Sequence, residues 1–390
     1  MIVLLLVLLA WWDGRGADPP AEPASPGAAD ALATQALRAL GEGPAGTDAA
    51  SAPVSAQAAS RPASTADADT DPTCPASWKA LAGLSGDVID RAFRRARPAA
   101  LQRAAALLAA SPDPFERLMG QLLAERAQRP DEAPSPEAFL ALVSEALAGR
   151  DARITGLAAQ LCANPSVEAP AACSSLTPQQ WASVDPDNVQ PWLAMAVQAQ
   201  DSGDTATVRE AMARAAQAHR NRLASTDLVQ LARSPALQAL SPTDRQVLVI
   251  DLMGVGVALT AAGSIDVSRL CPSGMGPGRE AQCSAVAGLL VEQGENLLQR
   301  GVGIAIGRRA GWDAEQAAAL GEENKAMMEA LSAVTLFGDL GGPPMTQAQA
   351  CEAYRRVEAV TRLMASDNEA ALARRALQQA RAASAAAGTH

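Results

Sequence analysis

Aromatic and lysine side chains are scarce in this chain. Phe, Trp and Tyr make up 3% of its 390 residues, Tyr354 is the single tyrosine, and lysine occurs only at Lys79 and Lys325. A nucleic-acid partner calls for a pooled basic face, usually with stacking rings, and neither is present, so none is expected. Histidine occurs only at His219 and His390, which leaves no cysteine–histidine set with zinc spacing. No metal or other cofactor is expected. The β-branched and aromatic residues that favour strands are also few. What fills the chain instead is Ala and Leu, within a hydrophobic share of 48% and at a net charge of −10. Both residues enter helices at little cost, so the composition points to an all-α protein. The densest basic cluster, Arg91, Arg94, Arg95 and Arg97, reads as a solvated helix face.

Residues 1–12, MIVLLLVLLAWW, form an uninterrupted apolar run. At ~1.5 Å per residue such a run is shorter than the ~30 Å hydrocarbon core of a bilayer. It has the length of a signal-peptide core but lacks a basic lead and an A-x-A cleavage site. The Trp11-Trp12-Asp13 ending suits the interfacial end of an anchor. An uncleaved attachment to the inner membrane is therefore the expectation, and secretion after cleavage is the alternative. Residues 13–73, rich in Ala, Pro and Ser and poor in large apolar groups, read as a disordered linker. The pattern of anchor, tether and folded body suits a periplasmic protein.

Six cysteines sharpen that expectation: Cys74, Cys162, Cys173, Cys271, Cys283 and Cys351. Cys162 and Cys173 flank a turn-rich segment, as do Cys271 and Cys283, and a bridge across each would fix a stretch lacking structure of its own. Cys74 and Cys351 are left over, and nothing in their spacing specifies a pairing. Reduced, buried cysteines are the competing reading.

From Trp78 onward apolar residues recur at helical spacing between short Pro, Gly, Asp and Ser breaks. One helix is expected to end at Pro98, and the next at Ser111-Pro-Asp-Pro114. Another pair is separated by Gly149-Arg150. The organisation read this way is a helical-hairpin region over 74–224, a C-terminal helical region over 225–384 and a disordered tail over 385–390. In that second region Leu320, Met327, Leu331 and Val334 share a stripe, as do Tyr354, Val357 and Met364. Asp367 or Asn368 caps the last helix.

The segment 185–218 resembles a tetratricopeptide repeat, a helix–turn–helix with large and small residues at fixed offsets. Trp192, Met195 and Ala196 take the packing positions of its first helix, Gly203 and Asp204 the turn, and Val208, Met212 and Ala215 the second helix. Ala199, Val208 and Met212 depart from the usual residues, so the repeat is degenerate. The stretch running from Leu161-Cys162 through Asp185-Pro-Asp-Asn188 to Pro191-Trp192 is similar to uncharacterised exported proteins of GC-rich proteobacteria. The resemblance implies a TPR-like α-solenoid segment that binds protein, with another envelope protein or a peptide segment as partner.

No catalytic residue is expected. Gly301-x-Gly303-x-x-x-Gly307 lacks the preceding strand of a dinucleotide loop and the Walker lysine, and reads as close helix packing, as does Gly254-x-Gly256. Ser85 lacks a nucleophile's context, and Glu322-Glu323 reads as a solvated surface. The leading expectation is a non-catalytic interaction module. The alternative is an envelope enzyme with an all-α catalytic domain in 240–365, marked by acids gathered near His219 or Arg308-Arg309.

Overall fold

The computed structural model describes residues 74–84, 86–129, 134–163, 171–334, 346–366 and 368–387. The expected anchor at 1–12, the linker at 13–73, Ser85, Asp367 and residues 388–390 lie outside these, as do the side chains of Val334 and Met364.

The described body is all-α. Its helices are α1 (Ala76–Lys79), α2 (Gly86–Ala109), α3 (Pro114–Gln128), α4 (Pro136–Ala148), α5 (Ala152–Cys162), α6 (Pro178–Val184), α7 (Val189–Asp201) and α8 (Thr205–Gln217). There follow α9 (Ala224–Gln230), α10 (Pro242–Arg269), α11 (Pro277–Glu292), α12 (Leu297–Arg309), α13 (Ala314–Val334), α14 (Gln347–Ser366) and α15 (Glu369–Ala387). Their starts are written in the sequence. Asp113, Ser135, Asp151, Thr177, Asn188, Asp204, Ser241 and Asn296 each accept a first-turn amide through the side chain. Pro114, Pro136, Pro178 and Pro242 follow their caps directly, where a missing N–H costs nothing. Asn368 accepts the Ala371 amide at 2.9 Å and so caps α15, which runs to Ala387, into the stretch expected to be a tail.

Pro98 does not end a helix; it sits inside α2. A proline there costs roughly 3 kcal/mol in a free helix. Here apolar residues on both sides of it, Val88 and Ala92 before, Ala100 and Leu101 after, are buried against the rest of the body. That burial keeps the helix going.

α10 is the hub. It packs against α2, α9 and α12, with lesser contacts to α5, α7 and α14. Two carboxylates on it seize arginines of neighbouring helices. Asp251, 3% exposed, meets Arg97 of α2 at 2.5 Å and Arg126 of α3 at 2.9 Å. Asp244 meets Arg103 of α2 at 2.5 Å. Arg97 is therefore a partly buried tie to a buried carboxylate, and the solvated-face reading of its cluster holds only for exposed Arg94 and Arg95.

The hairpin α7–α8 forms where the repeat-like segment lies. Gly203 makes its turn at φ +76°, and Asp204 caps α8. Met195, Ala196, Met212 and Ala215 are buried between the helices, while Val208 and Trp192 are partly buried at the edge. Trp192 donates its indole N–H to the Pro186 carbonyl at 2.8 Å, and the Arg214 guanidinium lies 6.0 Å from its ring. α8 then packs on α11.

All six cysteines are paired: Cys162–Cys173, Cys271–Cys283 and Cys74–Cys351. The last spans 277 residues. It joins the α1 region to α14, where Trp78 packs on Tyr354 and Phe93 and donates to Gln246 of α10 at 3.1 Å.

Candidate functional site: an arginine-bridged cleft

An open cleft of about 730 Å³ lies where α3 and α5 begin, lined by Pro114, Glu145, Arg150, Asp151, Arg153 and Arg222. A second hollow of about 290 Å³ continues from it past Phe115, Glu116, Asp227 and Arg233. Arg153 and Arg222 line both.

Arg153 is the keystone. Asp113 caps α3 and Asp151 caps α5, and Arg153 bonds both caps at once. Its Nη1 and Nη2 donate to Asp113 at 3.0 and 2.9 Å, and its Nε and Nη2 to Asp151 at 3.0 and 2.5 Å. The guanidinium also lies 4.8 Å from the Phe115 ring centre. Each aspartate thus serves a helix end and a cation. Burial works against ionising Asp113 and Asp151, yet the bonds and charge of Arg153, with the first-turn amides, outweigh it and hold both carboxyls below their ordinary value. The hydrogen bond that Arg153 donates to Asp151 leads in raising the guanidinium in turn.

The second wall is Arg222, whose Nε and Nη2 grip Asp227 of α9 at 3.0 and 2.5 Å. Burial raises the Asp227 carboxyl and Arg222 opposes it. Arg222 is itself placed by the Asp185-Pro-Asp-Asn188 turn. Buried Asn188 accepts the Arg222 amide at 3.1 Å and donates to its carbonyl at 3.0 Å, while also donating to Asp185 at 2.8 Å. Asp185 in turn holds Arg220 at 2.9 Å. A turn and a return segment 34 residues apart are thereby locked together, which accounts for the polar residues of that turn in structural terms.

The carboxylates at the heart of the cleft are committed to guanidinium groups. Arg150 and Arg233 stand exposed on its rim, and among the described residues no hydrogen bond or ion pair engages either side chain.

No protein-family model, curated protein or solved structure matches the chain.

The residues singled out in the sequence lie elsewhere. His219 is exposed beside the α8 end, with its amide donating to the Asp187 carbonyl at 3.0 Å. Arg308 donates to the Ala317 carbonyl at 3.1 Å. Glu322 is exposed, but Glu323 pairs with buried Arg300 of α12, which corrects the reading of both as solvated surface. Gly303 and Gly307 are packing glycines as expected. A Cβ on Gly303 would sit 2.9 Å from that of Leu290, and one on Gly307 would run into the Trp312 ring. Gly256 approaches Ser225, whereas Gly254 has nothing within 4 Å, so close packing is not its role. Arg153 and Arg222 escaped sequence reading because their partners are set by folding. The Asp-Pro and Gly-Arg-Asp helix starts were the available signal.

Proposed function

We propose that this chain is an exported, disulfide-tied interaction module of the bacterial envelope, attached through its apolar N-terminus, whose arginine-rimmed cleft receives an acidic segment of another envelope protein. The observation that carries the reading is the division of labour in the cleft. Its paired, partly buried charges neutralise one another and hold its shape, which leaves Arg150 and Arg233 to meet carboxylates from outside. Fixed, mutually bonded charges favour a binding surface over proton-transfer chemistry, which needs a group free to change state. The repeat-like hairpin α7–α8 supports protein binding by resemblance. The paired cysteines are compatible with an oxidising compartment.

The test is crosslinking in whole cells followed by purification of the wild type and an Arg150→Glu/Arg233→Glu double variant. A stoichiometric protein partner held by the wild type and lost by the variant is expected. Absence of any partner, or equal capture by both, would count against the reading.

A further inference from the structure

Helix α4 buries one face and leaves the other open. Phe139, Leu142, Val143 and Ala146 are buried. Opposite them Glu137, Leu140, Ser144 and Leu147 are exposed, and their alternating three- and four-residue spacing lines them up as one stripe along the helix. The large apolar side chains exposed among the described residues are Leu140, Leu147, Leu298 and Met328, and α4 alone carries two of them, at 49% and 39% exposure. Two leucines on one stripe make a patch that contact with another apolar surface would stabilise.

The stripe carries opposite charge at its two ends. Glu137 stands in the first turn of α4, and Arg150 follows directly on its C-cap Gly149. Among the described residues no hydrogen bond or ion pair engages either side chain. The leucines and the charges share one centre: Leu140 and Leu147, like Glu137 and Arg150, are placed symmetrically about a point between Val143 and Ser144. A two-fold contact has this requirement, since residue i of one copy meets j of the other and j meets i. Laid antiparallel across a second α4, Leu140 meets Leu147 of the second copy, and Glu137 faces Arg150 of the second copy at both ends. Ser144, with its small side chain, falls near the axis and lets the helices approach closely. A parallel pairing would set Glu137 against Glu137 of the second copy, and like charges oppose it.

We propose that the exposed face of α4 is a homodimer interface, in which two copies of this chain pair their α4 helices antiparallel about an axis near Ser144. With 13 residues α4 is about 20 Å long, so the contact is small and the association reversible. Arg150 then meets a carboxylate of the second copy, while Arg233 remains for a different protein. The pairing uses α4 and Arg150 alone and is independent of whether such a protein enters the cleft.

Charge exchange tests it. Self-association of the disulfide-intact full chain, solubilised in mild detergent, is measured by sedimentation velocity. Glu137→Arg or Arg150→Glu places like charges together at both ends of the pair and should weaken the association at least about tenfold. The double variant Glu137→Arg/Arg150→Glu re-creates both ion pairs and should restore it. Absence of self-association, indifference to the single changes, or a double variant no better than the singles overturns the pairing. Should a variant fail to fold, a photo-crosslinking residue at exposed Ala141, beside the stripe, decides the matter in intact cells. An adduct of twice the chain's mass, with both linked peptides from α4, supports the dimer. No adduct, or adducts only to other proteins or to other parts of the chain, removes it.

Discussion

Two glycines show how differently one residue type is used in this protein. Gly307 touches the Trp312 ring, whose indole N–H is fixed by Ser284 at 2.7 Å, so the ring has no easy retreat. Gly307→Ala should overpack this contact and cost about 1–3 kcal/mol in denaturant unfolding. Gly254, exposed within α10 with open space around it, should behave oppositely, and Gly254→Ala should gain roughly 0.5–1 kcal/mol from helix propensity. Equal effects at the two sites would contradict the packing assigned here. Arg153 matters at the same scale. Arg153→Ala would leave two capping aspartates without their shared cation and should cost about 1–3 kcal/mol at neutral pH. Because Asp113 and Asp151 are held low in the wild type, that stability is present above their ordinary value of 3.8 and is lost as pH falls through the folded values. The gap between wild type and variant should accordingly close in acid, as followed by circular dichroism.

At the scale of elements, the helices were largely legible. Caps such as Asp113 and Thr177, with prolines one residue on, fix where helices start through local hydrogen bonds, and local chemistry is what a sequence displays. Pro98 shows the limit: whether a helix survives a proline depends on apolar faces brought together by folding. The same holds for α10, whose role as hub rests on Asp244 and Asp251 finding arginines more than a hundred positions away. The disulfides divide along this line too. The two local pairs follow from spacing, whereas Cys74–Cys351 joins α1 to α14 across 277 residues and no spacing reveals it. Loop length predicts unequal worth. By chain entropy, the Cys74→Ser/Cys351→Ser protein should lose about 3 kcal/mol more stability than Cys162→Ser/Cys173→Ser. Paired thermal unfolding curves check the order, and its reversal would mean the termini of the body are held mainly by the Trp78 cluster.

For the whole molecule, the features join into one scheme. Helices gather on α10, ion pairs to its sequestered aspartates Asp244 and Asp251 tie its neighbours to it, and the long disulfide closes the body by tying its first described helix to a late one. The cleft between α3, α5 and α9 is a product of that scheme, assembled from parts that no single stretch of sequence contains. Among the described residues no helix is long and apolar enough to cross a membrane. The central claim is an exported helical body whose thiols are all spent on these three bridges. Mass-spectrometric mapping of non-reduced peptides, from protein alkylated in intact cells, tests it most directly. The account predicts linked peptides for Cys74–Cys351, Cys162–Cys173 and Cys271–Cys283, with no alkylated cysteine. Free thiols at these positions would contradict it.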